Sequence, residues 1–232
     1  MNYSGFMGGL FSLAEWIMRF TVVNILWIIS NLPIFIIVFV MFLTPSNLAN
    51  VILAIPIAIL FPILFFPSLA AAYATVRDWI INKEKVSLLG AFWTYGKENY
   101  KTSFQSGLLV TGLWIIWAVD FYYFYQQNNF LGFIMLIIGV GLFVFMTNFI
   151  CLSVHYHMTK KELFRNAFLI TVGNPLLFIS IIIIHASVIY MSMRIWFLFP
   201  FFSLSVTAFL TFYAFYRFTL KMEARAMKVT KR

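Results

Sequence analysis

Charge is what this chain has least of. Lys, Arg, Asp and Glu together make up 10% of its 232 residues, against roughly 25% in an average soluble domain. A water-facing surface cannot be built from so few charges, so a soluble domain of any size is excluded. Cysteine is nearly absent too: Cys151 stands alone in an apolar run, can form no intramolecular disulfide, and reads as inert packing. The chain has no Gly-rich phosphate loop, so an ATP-driven role would need a partner subunit. Neither an H-E-x-x-H nor a G-x-S-x-G pattern occurs, which removes the easiest routes to a protease or lipase. His155 and His157 flank Tyr156 with no third ligand nearby, short of a zinc site. No metal or cofactor is expected. A basic segment, short apolar run and small-residue cleavage site are also missing, so no cleaved signal peptide is expected.

What is there is apolar. Hydrophobic residues make up 63% of the chain and aromatic residues 20%, in runs long enough to cross a hydrocarbon core of about 30 Å. The expected fold is an all-α polytopic membrane protein, a single six-span domain over 1–232 with short amphipathic cytoplasmic helices. The spans fall at about 20–43, 48–76, 103–125, 130–154, 176–193 and 195–219. Pro56, Pro62 and Pro67 predict kinks in the second, and the small residues Ser68, Ala70, Ala71 and Ala72 predict its burial among other helices. Tyr122, Tyr123 and Tyr125 form a belt where the third meets headgroups.

Three segments read as surface helices. Residues 1–19 form an N-terminal interfacial segment, with Glu15 and Arg19 paired four residues apart on its polar side. Within 77–102, Ser87 caps a short helix whose Leu88, Leu89, Phe92 and Trp93 share an apolar side between Lys85, Lys97 and Lys101. That helix is expected to lie flat on the membrane, and its four apolar residues are the candidate partner-docking face. Over 155–175, Thr159 and Glu162 form a capping box, and Gly173-Asn174-Pro175 ends the helix. A basic tail follows at 220–232.

Orientation comes from the basic residues. In the six-span arrangement Arg19, five residues between Arg77 and Lys101, three between Lys160 and Arg165, and six from Arg217 to Arg232 share one side; Arg194 alone takes the other. Cytoplasmic loops retain positive charge, which places both termini in the cytoplasm. A net charge of +9 spread over short loops forms no continuous basic patch, so nucleic acid is not an expected partner. The lipid bilayer is.

Chemistry inside a membrane should leave ionisable residues within spans, and Asp120 and His185 are the two found. Asp120 lies near the outer end of the third span and Arg194 at the outer end of the fifth, so either a structural ion pair between them or a solvated carboxylate near the interface is the expectation, with a substrate or proton contact as the alternative. His185 reads as an interhelical hydrogen bonder. Asn24 and Asn31, with Trp27 and Pro33 beside them, are buried amides that need partners on other helices.

The order of these features resembles the YesL-like bacterial membrane proteins. The residues that carry the likeness are Asn24-x-x-Trp27, the exit Pro67-Ser68-Leu69-Ala70-Ala71-Ala72-Tyr73 with Arg77 and Trp79, Phe92-Trp93 to Asn99-Tyr100-Lys101, Asp120, and Asn166-Ala167-Phe168 before Gly173-Asn174-Pro175. Many members carry a glycine and Pro-Ala at the second exit, where this chain has Phe66-Pro67-Ser68. The family is a domain of unknown function whose members are commonly encoded beside carbohydrate ABC importers. The resemblance therefore implies a bacterial cell-membrane protein that is a non-enzymatic accessory or assembly subunit of such an importer, with its permease and solute-binding subunits as partners. A small-solute transporter or channel in its own right is the alternative, and Asn24, Asn31, Asp120 and His185 are the polar residues that would have to converge on one cavity.

Overall fold

The computed structural model describes residues 6–81 and 87–230, without the side chains of residues 6, 225, 226 and 228–230. Its regular elements are all helical: α1 (Phe6–Ser30), α2 (Leu32–Leu43), α3 (Asn47–Leu60), a π-helical turn (Phe61–Phe65), α4 (Phe66–Ile80), α5 (Leu88–Gln127), α6 (Asn129–His155), α7 (Lys160–Gly173), α8 (Pro175–Arg194), α9 (Leu198–Phe201) and α10 (Ser203–Thr230). Among the described residues five stretches are long and apolar enough to cross a membrane: Met7–Ser30, Asn47–Ile80, Leu88–Gln127, Asn129–His155 and Pro175–Arg194. The stretch read as a sixth span takes another form. It opens on the four-residue α9, breaks at Phe202, and continues as α10, whose apolar residues are diluted by Ser203, Ser205, Thr207, Thr211 and Arg217. Ser205, Ala208, Thr211, Phe212 and Phe215 are nevertheless fully buried, so α10 is a full member of the bundle.

Prolines set the irregularities. Pro33 has no N–H to offer and its ring crowds the carbonyl four residues back, so the first helical run breaks at Asn31 and resumes as α2. The stretch read as one span from 20 to 43 is therefore two helices. In the next run Pro56 lies inside α3, Pro62 lies inside the π-helical turn and Pro67 follows it at the start of α4, which is where a chain short of backbone donors opens its spiral.

α4 is the centre of the fold. Every residue from Phe66 to Val76 is buried, and Ala71, Ala72, Ala74 and Val76 are completely so. Four alanines let α1, α5, α6 and α10 close in around it, as small side chains do in lipid. Phe66 lies against Gly107 of α5; a methyl group on Gly107 would come within 2.9 Å of its ring. Glycine there is what admits the larger residue. The α5–α6 contact is closer still. A methyl on Gly139 would sit 2.4 Å from the Trp117 ring, whose Nε1 donates to the Met135 carbonyl at 2.8 Å.

Two of the three expected surface helices are corrected. Residues 6–19 do not form a separate interfacial helix: α1 runs unbroken for 25 residues, and Trp16 and Phe20 pack edge-on against Trp79 at 6.0 and 5.7 Å. The Glu15–Arg19 pair does form, at 2.5 Å. Nor does 88–102 lie flat as its own helix. α5 is continuous over 40 residues, about 60 Å, roughly twice the hydrocarbon thickness. No proline interrupts 88–127, and Ala91, Phe92, Tyr95, Ser103 and Ser106 give its first half one buried face. Burial against α4 keeps the polar stretch helical. The tail from 220 likewise continues α10 to Thr230, leaving residues 231–232 outside the described residues.

α7 forms as expected. The Thr159 hydroxyl accepts from the Glu162 amide while the Glu162 carboxylate accepts from the Thr159 amide, and these two Thr159 donors, hydroxyl first, hold the Glu162 carboxyl below its usual range. Asn174 ends α7 and caps α8 by accepting from Leu177 N–H at 3.0 Å.

Candidate functional site

The structure gathers polar side chains into four places. The first is a buried charge centre where α4 ends. Arg77 donates to Asp78 Oδ1 through Nε at 3.0 Å and Nη2 at 2.8 Å, and through Nη1 to the Val154 carbonyl. The Tyr95 hydroxyl donates to Asp78 Oδ2, and its ring lies 5.4 Å from the guanidinium. Asp78 is 4% exposed. Neighbours in a helix do not face each other, so the Arg77 side chain must fold back to meet Asp78, and in doing so it reaches the last turn of α6. The Val154 carbonyl is one of the acceptors a helix end leaves without a partner, and a cation suits that negative end. The Arg77–Asp78 pair thus ties α4 to α5 through Tyr95 and to α6 through the Val154 carbonyl. Asp78 and Tyr95 are absent from the sequence candidates. The available signal was an acid directly beside a basic residue at the end of a small-residue run, but Arg77 reads locally as a topology charge.

The second place is Asn24. Its Nδ2 donates to the carbonyls of Phe199 at 3.1 Å and Pro200 at 2.8 Å, and its Oδ1 accepts from the amides of Leu204 at 2.8 Å and Ser205 at 3.3 Å. This amide joins the end of α9 to the start of α10, replacing hydrogen bonds that the break at Phe202 removes. Irregular backbone within a bundle needs such replacement. Asn31 plays a similar part at the other break, donating to the Trp27 carbonyl and to the Ser68 hydroxyl, both at 2.8 Å. Ser68 in turn donates toward the Leu64 and Phe65 carbonyls of the π-helical turn. The kinks of the first two helical runs are therefore joined. Asn148, another residue missing from the sequence candidates, donates to Thr171 of α7 at 3.0 Å.

The third place is an open cavity of about 620 Å³ between α1, α4, α6, α8 and α10, lined by Trp27, Tyr73, Thr147, His185, Ser192 and Thr207 among apolar residues. The expected interhelical role for His185 takes a different shape. Its Nδ1 lies 2.8 Å from the Ile181 carbonyl of its own helix, and across the helix interface it meets the edge of Phe143 with ring centroids 4.7 Å apart. Trp27 Nε1 is buried with no hydrogen-bond partner among the described residues. Asn24, Asn31 and Asp120 do not line this cavity.

Asp120 and Arg194 do not form the expected ion pair. Asp120 is exposed on α5, and Arg194 lies over the Tyr190 ring, 5.5 Å from its centroid. Shared depth at one end of the bundle does not bring side chains together when their helices are not direct neighbours.

The fourth place is the beginning of α5, where the expected docking quartet is divided. Phe92 is 2% exposed and belongs to the core, and Leu88 packs partly against it. Leu89 and Trp93 point outward, 55% and 52% exposed, with Tyr100 on the same stripe at 45%. The four residues do not share one face, because the side toward α4 takes every third or fourth position.

These features define a class: an all-α membrane protein whose bundle closes around one small-residue helix and whose breaks are joined by buried amides. Comparison with known proteins is consistent with it. Residues 20–121 match the family described as protein of unknown function, DUF624. The chain is 25% identical over 227 residues to the uncharacterized protein YteU of Bacillus subtilis (strain 168), covering 96% of this chain and 90% of that protein. It is 29% identical over 115 residues to the uncharacterized protein YesV of the same strain, covering 47% of this chain and 55% of that protein. No solved structure matches. The matches bear out the YesL-like resemblance, and the stretch that matches the DUF624 model, residues 20–121, carries Asn24, Asn31, Asp78 and Tyr95.

Proposed function

We propose that the protein is a non-enzymatic accessory or assembly subunit of a bacterial carbohydrate ABC importer, and that it docks on the permease through the outward stripe of α5. The observation that carries the docking face is the exposure of Leu89, Trp93 and Tyr100 on a helix that overruns the bilayer. Large apolar side chains in that setting mark an interaction surface. The importer itself is argued from the YesL-like resemblance. Lys97 and Lys101 flank the stripe and favour a partner with acidic residues at its rim.

Trp93→Ala should reduce recovery of the permease in a gentle-detergent pull-down of the tagged protein, with a loss of about 2 kcal/mol in affinity if Trp93 is the anchor. Phe92→Ala should instead lower thermal stability, because it empties a core position. Wild-type permease recovery with Trp93→Ala would remove this stripe from the docking site. Recovery of the tagged protein alone from wild-type membranes would remove the accessory reading.

The reading also requires six crossings with both ends in the cytoplasm. In a Cys151→Ser background, an impermeant thiol reagent on intact cells should label Ser46→Cys and Asn128→Cys, and should leave Gly90→Cys, Lys160→Cys and Lys228→Cys unlabelled. Labelling at position 90 from outside would overturn this arrangement.

A second reading, a small-solute transporter or channel, is favoured by the 620 Å³ cavity beside His185. Against it, Asn24 and Asn31 direct their amide hydrogens to the helix breaks rather than to that cavity. Solute uptake by the protein alone in reconstituted vesicles, abolished by His185→Leu, would favour this reading over the first.

A further inference from the structure

Between the first turns of α8 and the later part of α10 lies a cleft of about 740 Å³, lined by Asn174, Leu177, Ala214, Arg217, Phe218 and Lys221. α8 begins here and α10 runs outward past it, so the cleft has a direction. Ala214 and Ser180 line its inner part, Arg217 and Lys221 follow one turn apart toward the rim, and Leu176, Leu177 and Phe218 form apolar walls beside them. Arg217 and Lys221 have no hydrogen bond, ion pair or ring contact among the described residues. Their neighbour Glu223 is engaged elsewhere, its carboxylate accepting from the Tyr156 hydroxyl at 3.0 Å. Three other cations at this end of the bundle have partners, Arg19 with Glu15, Arg77 with Asp78 and Lys160 with Gln105, whereas Lys97 and Lys101 on α5 are exposed and do not line this cleft.

We infer that this cleft seats one anionic phospholipid, with its phosphate between Arg217 and Lys221 and an acyl chain against Leu177, Phe218 and Ala214. Arg217 and Lys221 are exposed at the cleft's rim, one turn apart, where a phosphate oxyanion can take charge-assisted hydrogen bonds from both, and the start of α8 adds partial positive charge beside them. A soluble phosphate would satisfy the cations but leave the apolar walls open. An acyl chain covers those walls, and basic pockets between membrane helices recognise lipid headgroups in this way. The site lies in the leaflet next to the charged ends of α4, α5 and α10 and does not depend on any importer.

The test uses the purified full-length protein in a neutral detergent, with lipid binding read by native mass spectrometry and by the shift in unfolding temperature. Phosphatidylglycerol should bind one molecule per chain and raise the unfolding temperature. Phosphatidylcholine and glycerol 3-phosphate should do so far less. The Arg217→Gln, Lys221→Gln double variant should bind phosphatidylglycerol about tenfold to thirtyfold more weakly, as expected for removing two cations at a lipid surface. Lys97→Gln, Lys101→Gln, which removes an exposed pair with the same spacing on α5, should bind like the wild type. Ser180→Leu fills the inner part of the cleft without touching charge and should also weaken binding, which keeps the test open if the double variant fails to fold. Undiminished phosphatidylglycerol binding in the cleft variants would overturn the assignment. So would equal losses in the α5 pair, which would mean charge attraction without a seat, or stabilisation by glycerol 3-phosphate equal to that by the lipid, which would mean a phosphate site without a lipid.

Discussion

Asp78→Ala should lower the stability of the protein by about 3–5 kcal/mol, the usual cost of leaving one member of a buried ion pair without its partner. The variant removes the acceptor of two Arg77 hydrogen bonds and of the Tyr95 hydroxyl, while the guanidinium stays beside the end of α6. A second substitution separates this from simple loss of packing. In Arg77→Leu, Asp78→Leu both charges are replaced by apolar groups, and much of the loss should return because the desolvation cost disappears with the charges. Thermal unfolding in detergent, followed by circular dichroism, measures both variants. A double variant as unstable as Asp78→Ala would show that the centre acts through shape and not through charge pairing. A single variant within about 0.5 kcal/mol of wild type, as expected of an ordinary surface substitution, would show that water already solvates Asp78.

Asn24→Leu should cost about 4 kcal/mol or more, since it leaves two carbonyls and two amides at the α9–α10 break without partners and each buried orphan costs about 1–3 kcal/mol. Side-chain hydrogen bonds between membrane helices average only about 0.6 kcal/mol, so a large loss is not the default for an asparagine in a bundle. Asn148→Leu supplies the contrast. It removes the single bond to Thr171, leaves no row of backbone groups exposed, and should cost about 1 kcal/mol at most. Hydrogen exchange gives a local readout: the amides of Leu204 and Ser205 should exchange faster in Asn24→Leu and unchanged in Asn148→Leu. Similar losses for the two variants would mean that Asn24 is ordinary interhelical glue and that the break holds itself.

Both residues show how far local sequence signals reach. Asn24 is legible as a buried amide needing a partner, since a polar group in an apolar run must be satisfied. Its partners lie about 175 residues away, at a break that nothing near Asn24 encodes. Asp78 is less legible, because its meaning depends on Tyr95 and on the end of α6, 17 and 77 residues distant from the pair. The docking quartet fails for a related reason. Spacing identifies residues that can share a face, but which side turns inward depends on the neighbour, and α4 takes Phe92 while leaving Trp93 outside.

The sequence by itself determined the solvent of this protein and its helical class, because transfer of long apolar runs into lipid follows from composition. It also determined the features whose physics spans four residues or fewer: the Thr159–Glu162 capping box, the Ser87 cap, the Asn174 stop, the Glu15–Arg19 pair and the proline kinks. Tertiary structure alone decided that α5 continues through its polar first half, that α1 and α2 are separate helices joined through Asn31 to the kink before α4, and that Arg77 closes on Asp78 and not on water. Each of these depends on which surfaces are buried against which, and burial is fixed by all the helices packing at once, with α4 in the middle.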